Sequence, residues 1–337
     1  MTPFKAMILC AGLGTRLRPL TFSRPKVLVP VCNRPLLHTL LDYLEDWGAE
    51  SVILNAYHLS EVLCRHLSRH DFGIPVEVRV EKKLLGTGGG IRNVKDFWDE
   101  RPFVVINGDI LSCIDLQEVL RYHKDSGASV TMVLVDEPKF NNVAVGADGR
   151  IVAFRREAGS KNLAFTGIQV IDPQILAHIP DGAVSIIDCY RSLISTGERI
   201  IGLVVDKRCW RELGSLAAYV QVHREFANGT ADQELTGRHC RTAAVDSTAK
   251  LGAGVELRGM VWIGKGCRIE DRVTIVDSIL WDGVQVKVGC TVRRSIVADG
   301  VAVNQSVVGA VLAQGISSDG AEQGKTREAL QEKLPGQ

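Results

Sequence analysis

Along residues 1 to about 228, short apolar runs alternate with amphipathic stretches. Phe4–Cys10, Ser51–Asn55, Pro75–Val80, Pro102–Asn107 and Ala128–Val135 have the length and composition of strands. Between them, Pro35–Trp47 sets Leu37, Leu40, Leu41, Leu44 and Trp47 on one helical face, with Pro35 suited to the first turn and Gly48 to the stop. Asp115–Lys124 carries a second helical pattern, closed by Gly127. Near-continuous apolar strands separated by helices predict an α/β domain, a doubly wound and mostly parallel sheet covered on both faces.

The pattern changes near Asn228. After a polar stretch, Leu251, Leu257, Ile263, Ile269 and Ile275 recur every six residues, with Trp281 next in line, and the rhythm resumes around Val301 and Val307. A hexapeptide period is the signature of a parallel β-helix, in which three hexads make a coil and the aliphatic residue points inward. The expected layout is a first domain at 1–228, a linker at 229–243, a β-helix at 244–314 and a polar tail at 315–337.

Chemistry concentrates in residues 11–30, directly after the first strand. Gly12 and Gly14 allow a sharp turn whose free N–H groups can face a phosphate. Arg16 adds a planar fork that matches phosphate oxygens, and Lys26, after Pro25, adds a point charge. Two familiar phosphate loops are excluded: G-x-x-x-x-G-K-[ST] is absent, and the third glycine of a dinucleotide fingerprint is replaced by Leu17. Asp109 ends the apolar run from Phe103, the strand position where ligands gather in a parallel sheet.

Charge sharpens this reading. With 40 basic and 39 acidic residues, the net charge is +1, which argues against a nucleic-acid binder or a polybasic membrane protein. Yet the first 41 residues hold Lys5, Arg16, Arg18, Arg24, Lys26 and Arg34 and no acid, leaving 34 bases against 39 acids in the rest. The cations cluster on a glycine loop of the size of one triphosphate. No apolar run approaches the roughly 20 residues needed to span a bilayer, and the opening residues do not read as a signal peptide. Nine scattered cysteines without a CxxC pair read as reduced thiols of a cytoplasmic protein. Cys10 reads as a small core residue. His66 and His70, four apart on a helical stretch, have the spacing to share a metal but no carboxylate motif beside them, and read as solvated histidines.

The string from Gly12 to Pro30 resembles the signature of the sugar-1-phosphate nucleotidyltransferases, or NDP-sugar pyrophosphorylases, approximately G-x-G-T-R-[LM]-x-P-L-T-x-x-x-P-K-x-[LM]-x-P. Gly12, Gly14, Thr15, Arg16, Leu17, Pro19, Leu20, Thr21, Pro25, Lys26, Leu28 and Pro30 all match. The resemblance extends over roughly 1–314 and implies a Rossmann-like catalytic domain followed by a left-handed β-helix. It implies that Arg16, Lys26 and Asp109 carry catalysis and that Ala11, Gly12, Leu13, Gly14, Thr15, Arg16, Gly86, Thr87, Gly88 and Asn107 border the nucleotide. Of these, Gly86, Thr87 and Gly88 lie in Leu85–Gly90, similar to the family's L-G-T-[AG]-G loop. Thr166 and Gly167 fall where the family borders its sugar phosphate. Asp109 matches the metal-binding Asp, and Glu212, in Trp210–Ser215, stands where the family's W-x-D-[IV]-G-T string has its second acid; together they would hold Mg²⁺. The family's E-K-P string is missing, with Arg155 and Arg156 in its place.

The implied reaction turns an NTP and a sugar 1-phosphate into an NDP-sugar and pyrophosphate. GTP and mannose 1-phosphate are the first expectation. Uridylyl or thymidylyl transfer to a glucose, N-acetylmuramate or heptose type of phosphate, or a non-catalytic regulatory subunit, are the alternatives. Acyl transfer, common among hexapeptide proteins, usually needs a histidine in the β-helix; here the last histidine is His239, before the hexads. A homo-oligomer paired through the β-helix is a further possibility.

Overall fold

The computed structural model describes residues 1–232, 235 and 244–314. Most of the expected linker and the whole tail 315–337 lie outside the described residues. The chain forms two compact bodies. One gathers Met1–Leu13 and Leu37–Glu212; the other gathers Gly14–Leu36, 213–232 and 244–314. No described helix is long and apolar enough to cross a membrane.

The first body is built on a nine-stranded sheet. Its main strands are β1 (Phe4–Leu9), β2 (Ala49–Ala56), β3 (Val76–Val80), β4 (Phe103–Asn107), β5 (Val130–Val135), β6 (Lys161–Ile171) and β7 (Ile200–Val204). They lie in the order β3-β2-β1-β4-β6-β5-β7. β1 pairs in parallel with β2 and β4, β2 with β3, and β5 with β7. The five predicted runs are strands β1 to β5, four of them trimmed by a residue or two at one end and the second, Ser51–Asn55, extended at both ends to Ala49–Ala56. Phe103, Val104, Val105 and Ile106 of β4 are all fully buried, so the sheet is covered on both faces.

One strand departs from the parallel expectation. β6 runs antiparallel to both β4 and β5. The chain leaves β5 into a short hairpin, Val143–Val145 with Ile151–Ala153, instead of a helical crossover, so it returns in the opposite direction.

The helices are α1 (Leu36–Asp46), α2 (Ser60–Leu67), α3 (Gly86–Asn93), α4 (Leu116–Ser126) and α5 (Ile186–Ser195). In α4, Asp115 accepts a hydrogen bond from the Glu118 N–H at 2.9 Å, the start that the sequence signals. Met7, Ile53, Phe103 and Val105 pack with Ile91 and Val94 from the α3 region and with Tyr190 and Leu193 of α5 in one core cluster.

In the second body, parallel strands stack into a curled sheet with three files of aliphatic side chains. Leu251, Ile269, Val286 and Val303 form one file. Leu257, Ile275, Val292 and Val307 form the second. Ile263, Leu280, Val297 and Leu312 form the third. Leu251 pairs with Ile269 eighteen residues on, three times the hexad period. The next partners stand seventeen apart, as Ile269 and Val286 do, and the last pairs of two files fifteen, as Val292 and Val307 do. That one-residue contraction puts Leu280 in the file where the strict period predicts Trp281. Leu251 and Leu257 depart from the expected inward burial, at 45% and 37% exposed, because they open the stack and have a neighbouring coil on one side only.

Trp281 is buried elsewhere in this body. Its indole donates to the Tyr219 hydroxyl of α6 (Leu216–Ala227) at 2.9 Å. His223, on the same helix, is fully buried. Its ring receives the Cys32 N–H on Nε2 at 3.1 Å, which fixes the proton on Nδ1, donated to the Tyr219 carbonyl at 2.8 Å. The ring lies edge-on to Tyr219 and Trp262. Burial pushes the His223 pKa down from 6.5 to about 4. At pH 7 the ring is neutral in both folded and unfolded chains. Below about 6.5 the unfolded chain takes a proton that the folded one refuses, so stability is lost as pH falls from 6.5 toward 4, by on the order of 3 kcal/mol. Thermal unfolding from pH 7.5 to 4 is expected to show this slope, reduced in His223→Gln; equal slopes in the two proteins would count against it.

Candidate functional site

In the first body, candidate residues gather at the carboxyl ends of β1 and β4. The Gly108 N–H donates to the Leu9 carbonyl at 3.0 Å, drawing the turn that carries Asp109 against the end of β1. Strand Trp210–Glu212 pairs antiparallel with Ile110–Ser112, and Glu212 lies opposite Ile110, the residue after Asp109. The backbone positions of the two expected metal-binding acids are thus near each other, and both residues are half-buried. Two carboxylates offer hard oxygen ligands, the donor type that suits a hard divalent cation. The Cys10 thiol is fully buried, and burial, then the Asp109 charge, pushes its pKa well up. Cys10 is therefore an inert core thiol.

Gly167 has φ +84°, and a Cβ there would come within 2.6 Å of Asn107 Nδ2. Only glycine lets β6 carry that conformation past the Asn107 side chain. Gly167→Ala is expected to destabilise by on the order of 1–3 kcal/mol, from strain and displacement of Asn107. Urea unfolding would check it, and an unchanged midpoint would refute the close-approach reading. Thr166 is buried; its hydroxyl donates to the Val133 carbonyl at 2.8 Å and its carbonyl accepts from the Trp210 indole at 2.8 Å. Its side chain thus serves the strand beside Gly167.

The Leu85–Gly90 stretch, expected as a loop before the helix, is instead the start of it: Leu85 precedes α3, Gly86–Gly90 form its first turns, and they lie against the segment before α5. Gly88 N–H donates to Val184 O at 2.9 Å and Val184 N–H to Leu85 O at 2.9 Å. Thr87 Oγ1 accepts from the Ile186 N–H at 2.9 Å. A Cβ on Gly86 would meet Val184 O at 2.6 Å. These glycines bring two backbone segments together.

Asn55 and Glu81 carry no sequence motif, yet they tie this region together. Asn55 Oδ1 accepts from the Cys10 N–H at 2.8 Å, and Asn55 Nδ2 donates to Glu81 Oε1 at 2.7 Å. Glu81 Oε2 accepts from the Leu85 N–H at 3.0 Å, and Glu81 is only 4% exposed. This buried chain links the end of β1 to the Leu85–Gly90 stretch. The one available signal was an acid closing the Val76–Val80 run.

Ala11 is buried at the end of β1, while Gly12 and Leu13 are exposed. A Cβ on Gly12 would meet nothing within 4 Å, so nothing within the protein demands glycine there. The open space suits a ligand approaching the backbone.

The second body holds the rest of the signature. Gly14 has φ +62°, and a Cβ there would come within 2.8 Å of Thr21 Cγ2. The Thr21 hydroxyl donates to Gly14 O at 2.8 Å and closes the loop. Thr15 and Arg16 follow on an exposed 3₁₀ turn, and Lys26 opens another turn, half-buried. The residues around Lys26 are braced. Arg24 pairs with Asp299 at 2.7 Å, lies over the Trp281 ring and donates to Leu28 O at 3.3 Å. The Tyr219 hydroxyl donates to Pro30 O at 2.6 Å. Asn33 donates to Ile263 O at 3.1 Å. The C-terminal coils thus hold the segment that positions Lys26, which the sequence alone did not indicate.

Arg155 pairs with Glu157 at 3.0 Å, and Arg156 donates to the Asn141 and Pro138 carbonyls at 2.7 and 2.6 Å. Arg155 is thus engaged within its own loop, and Arg156 by the segment that precedes the hairpin.

Comparison with known proteins adds an independent line. Residues 5–229 match the family described as Nucleotidyl transferase, and 240–317 match the family described as GMPPB C-terminal domain. A mannose-1-phosphate guanylyltransferase of Mycobacterium tuberculosis is 31% identical over 297 residues, covering 86% of this chain and 83% of that protein. A UTP–glucose-1-phosphate uridylyltransferase of Synechocystis is 27% identical, covering 87% and 82%. The crystal structure of HddC from Yersinia pseudotuberculosis superposes with a TM-score of 0.58 at 23% identity, covering 66% of this chain and 99% of that one, a likeness of fold.

Proposed function

Because the chain belongs to the nucleotidyl transferase family, a sugar-1-phosphate nucleotidyltransferase, we infer that its substrates are GTP and mannose 1-phosphate. The observation that carries this pair is the 31% identity to a mannose-1-phosphate guanylyltransferase along most of both chains. The match of 240–317 to the GMPPB C-terminal domain supports it. A second reading, UTP and glucose 1-phosphate, is favoured by the uridylyltransferase of similar coverage.

In the reaction, an anionic phosphate oxygen of the sugar attacks the α-phosphorus. The new P–O bond forms as the bond to the pyrophosphate oxygen breaks, and that electron pair leaves with pyrophosphate. The nucleophile is already ionised at pH 7, so positioning and charge neutralisation suffice without a general base. The Gly12–Arg16 amides and the Arg16 guanidinium hold the β- and γ-phosphates. Lys26 offsets charge on the α-phosphate or the incoming sugar phosphate. The Leu85–Gly90 stretch takes base and ribose, with Asn107 near them, and the backbone at Thr166 and Gly167 borders the sugar. Asp109 and Glu212 would hold Mg²⁺, which when bound offsets the charge that develops on the phosphate oxygens.

We propose further that the catalytic domain spans 1–228 and that the curled sheet is a left-handed β-helix of hexads. The six-residue spacing of its aliphatic files supports this. Reduced thiols fit a cytoplasmic setting: none of the described cysteines is in a disulfide. The substrate pair is tested by kcat/KM over GTP, UTP and dTTP with mannose and glucose 1-phosphates. GTP with mannose 1-phosphate is expected to lead by at least tenfold. A lead by UTP with glucose 1-phosphate would overturn the first reading in favour of the second.

A further inference from the structure

His66 and His70 are not two isolated solvated side chains. His38, in the first turn of α1, joins them from across the body: its Nε2 lies 2.7 Å from His66 Nε2. The His38 ring centroid is 5.0 Å from that of His66 and 4.9 Å from that of His70, and His66 and His70 stack at 4.3 Å. One ring nitrogen from each of the three lies within 4.8 Å of the others. Among the described residues, no other group of three or more His, Cys, Asp or Glu side chains converges in this way.

The protons define what the cluster can bind. A carbonyl oxygen only accepts, so the 2.7 Å contact between His70 Nδ1 and the His66 carbonyl places the proton of His70 on Nδ1. Its Nε2 is then the lone-pair nitrogen. A ring N–H donated to a backbone carbonyl is the arrangement that fixes the tautomer of a metal-ligating histidine. Between His38 and His66, a 2.7 Å N···N contact has one nitrogen donating and the other accepting. Phe72 packs edge-on to His38 at 5.2 Å and walls one side. His38 and His66 are half-buried and His70 is exposed, so an ion can reach them.

We propose that His38, His66 and His70 bind one first-row divalent cation of the Zn²⁺ class, fastening α1 to α2. Three imidazole nitrogens suit Zn²⁺, Ni²⁺ or Cu²⁺, with water completing the shell, and not Mg²⁺. Zn–N bonds of about 2.0–2.1 Å in tetrahedral geometry need the His38 and His66 nitrogens to open by roughly 0.6 Å. The rings of His66 and His70 must also tilt from their stack, both adjustments being small torsions of half-exposed side chains. Nitrogen donors here and oxygen donors at Asp109 and Glu212 select different ions.

The test is titration of chelator-stripped full-length protein with Zn²⁺ by calorimetry, in excess Mg²⁺. One equivalent is expected to bind with micromolar or tighter affinity and to raise the melting temperature. His70→Ala, at an exposed position, is expected to weaken that affinity at least tenfold and to retain wild-type pyrophosphate release with Mg²⁺. Co²⁺ substituted for Zn²⁺ should give the visible absorption of a nitrogen-rich tetrahedral site in the wild type and lose it in His38→Ala. Absence of stoichiometric Zn²⁺ binding in the wild type, or equal affinity in His70→Ala, would overturn the proposal.

Discussion

Asp109→Asn is expected to lower turnover by at least about 100-fold, with little change in folding. The substitution keeps shape and removes one negative charge at the carboxyl end of β4. Removing one preorganised electrostatic contact from a dry site typically costs about 3 kcal/mol of transition-state stabilisation. An amide is also a poor ligand for a hard cation beside a carboxylate. The effect should fall mainly on kcat, and the Mg²⁺ concentration for half-maximal rate should rise, because Glu212, opposite Ile110, would remain as a ligand in its place. Steady-state rates over a Mg²⁺ titration, with melting temperatures in parallel, check this. Near-wild-type turnover would remove Asp109 from the chemistry.

Lys26→Ala is expected to cost a similar factor, for a different reason. Nucleotidyl transfer builds negative charge on the oxygens around the α-phosphorus, and an ammonium fixed there would be worth more than in water. The residues flanking Lys26 are anchored by Arg24 to Asp299 and by Tyr219 to the Pro30 carbonyl. Removal of the side chain should therefore leave the turn in place and take away only its charge. Lys26→Arg should recover part of the loss, since charge returns in a wider, planar head. A Lys26→Ala enzyme within a few-fold of wild type would sink this role.

Much of the first body was legible because its strands are buried on both faces and read as apolar runs from Phe4, Ser51, Pro102 and Ala128. Asp109 was legible as the acid closing such a run, and Asp115 and Gly127 as the ends of a helix. The antiparallel return of β6 was not, because strand direction depends on the connection and not on composition. Asn55 and Glu81 meet across twenty-six residues through one buried hydrogen bond, and no local pattern announces such a pair. The hexad period located the curled sheet and several of its aliphatic files. It missed the exchange of Leu280 for Trp281, since a coil that contracts by one residue shifts everything after it. The bracing of the signature segment, Pro30 by Tyr219 and Arg24 by Trp281 and Asp299, joins residues some two hundred positions apart or more, beyond the reach of spacing rules.

The most direct measurement follows the purified protein with Mg²⁺, GTP and mannose 1-phosphate by phosphorus NMR. Equal amounts of pyrophosphate and a GDP-sugar are expected to appear as GTP and mannose 1-phosphate disappear, with no free GMP. A folded protein that releases no pyrophosphate from any NTP and sugar 1-phosphate pair would contradict the account.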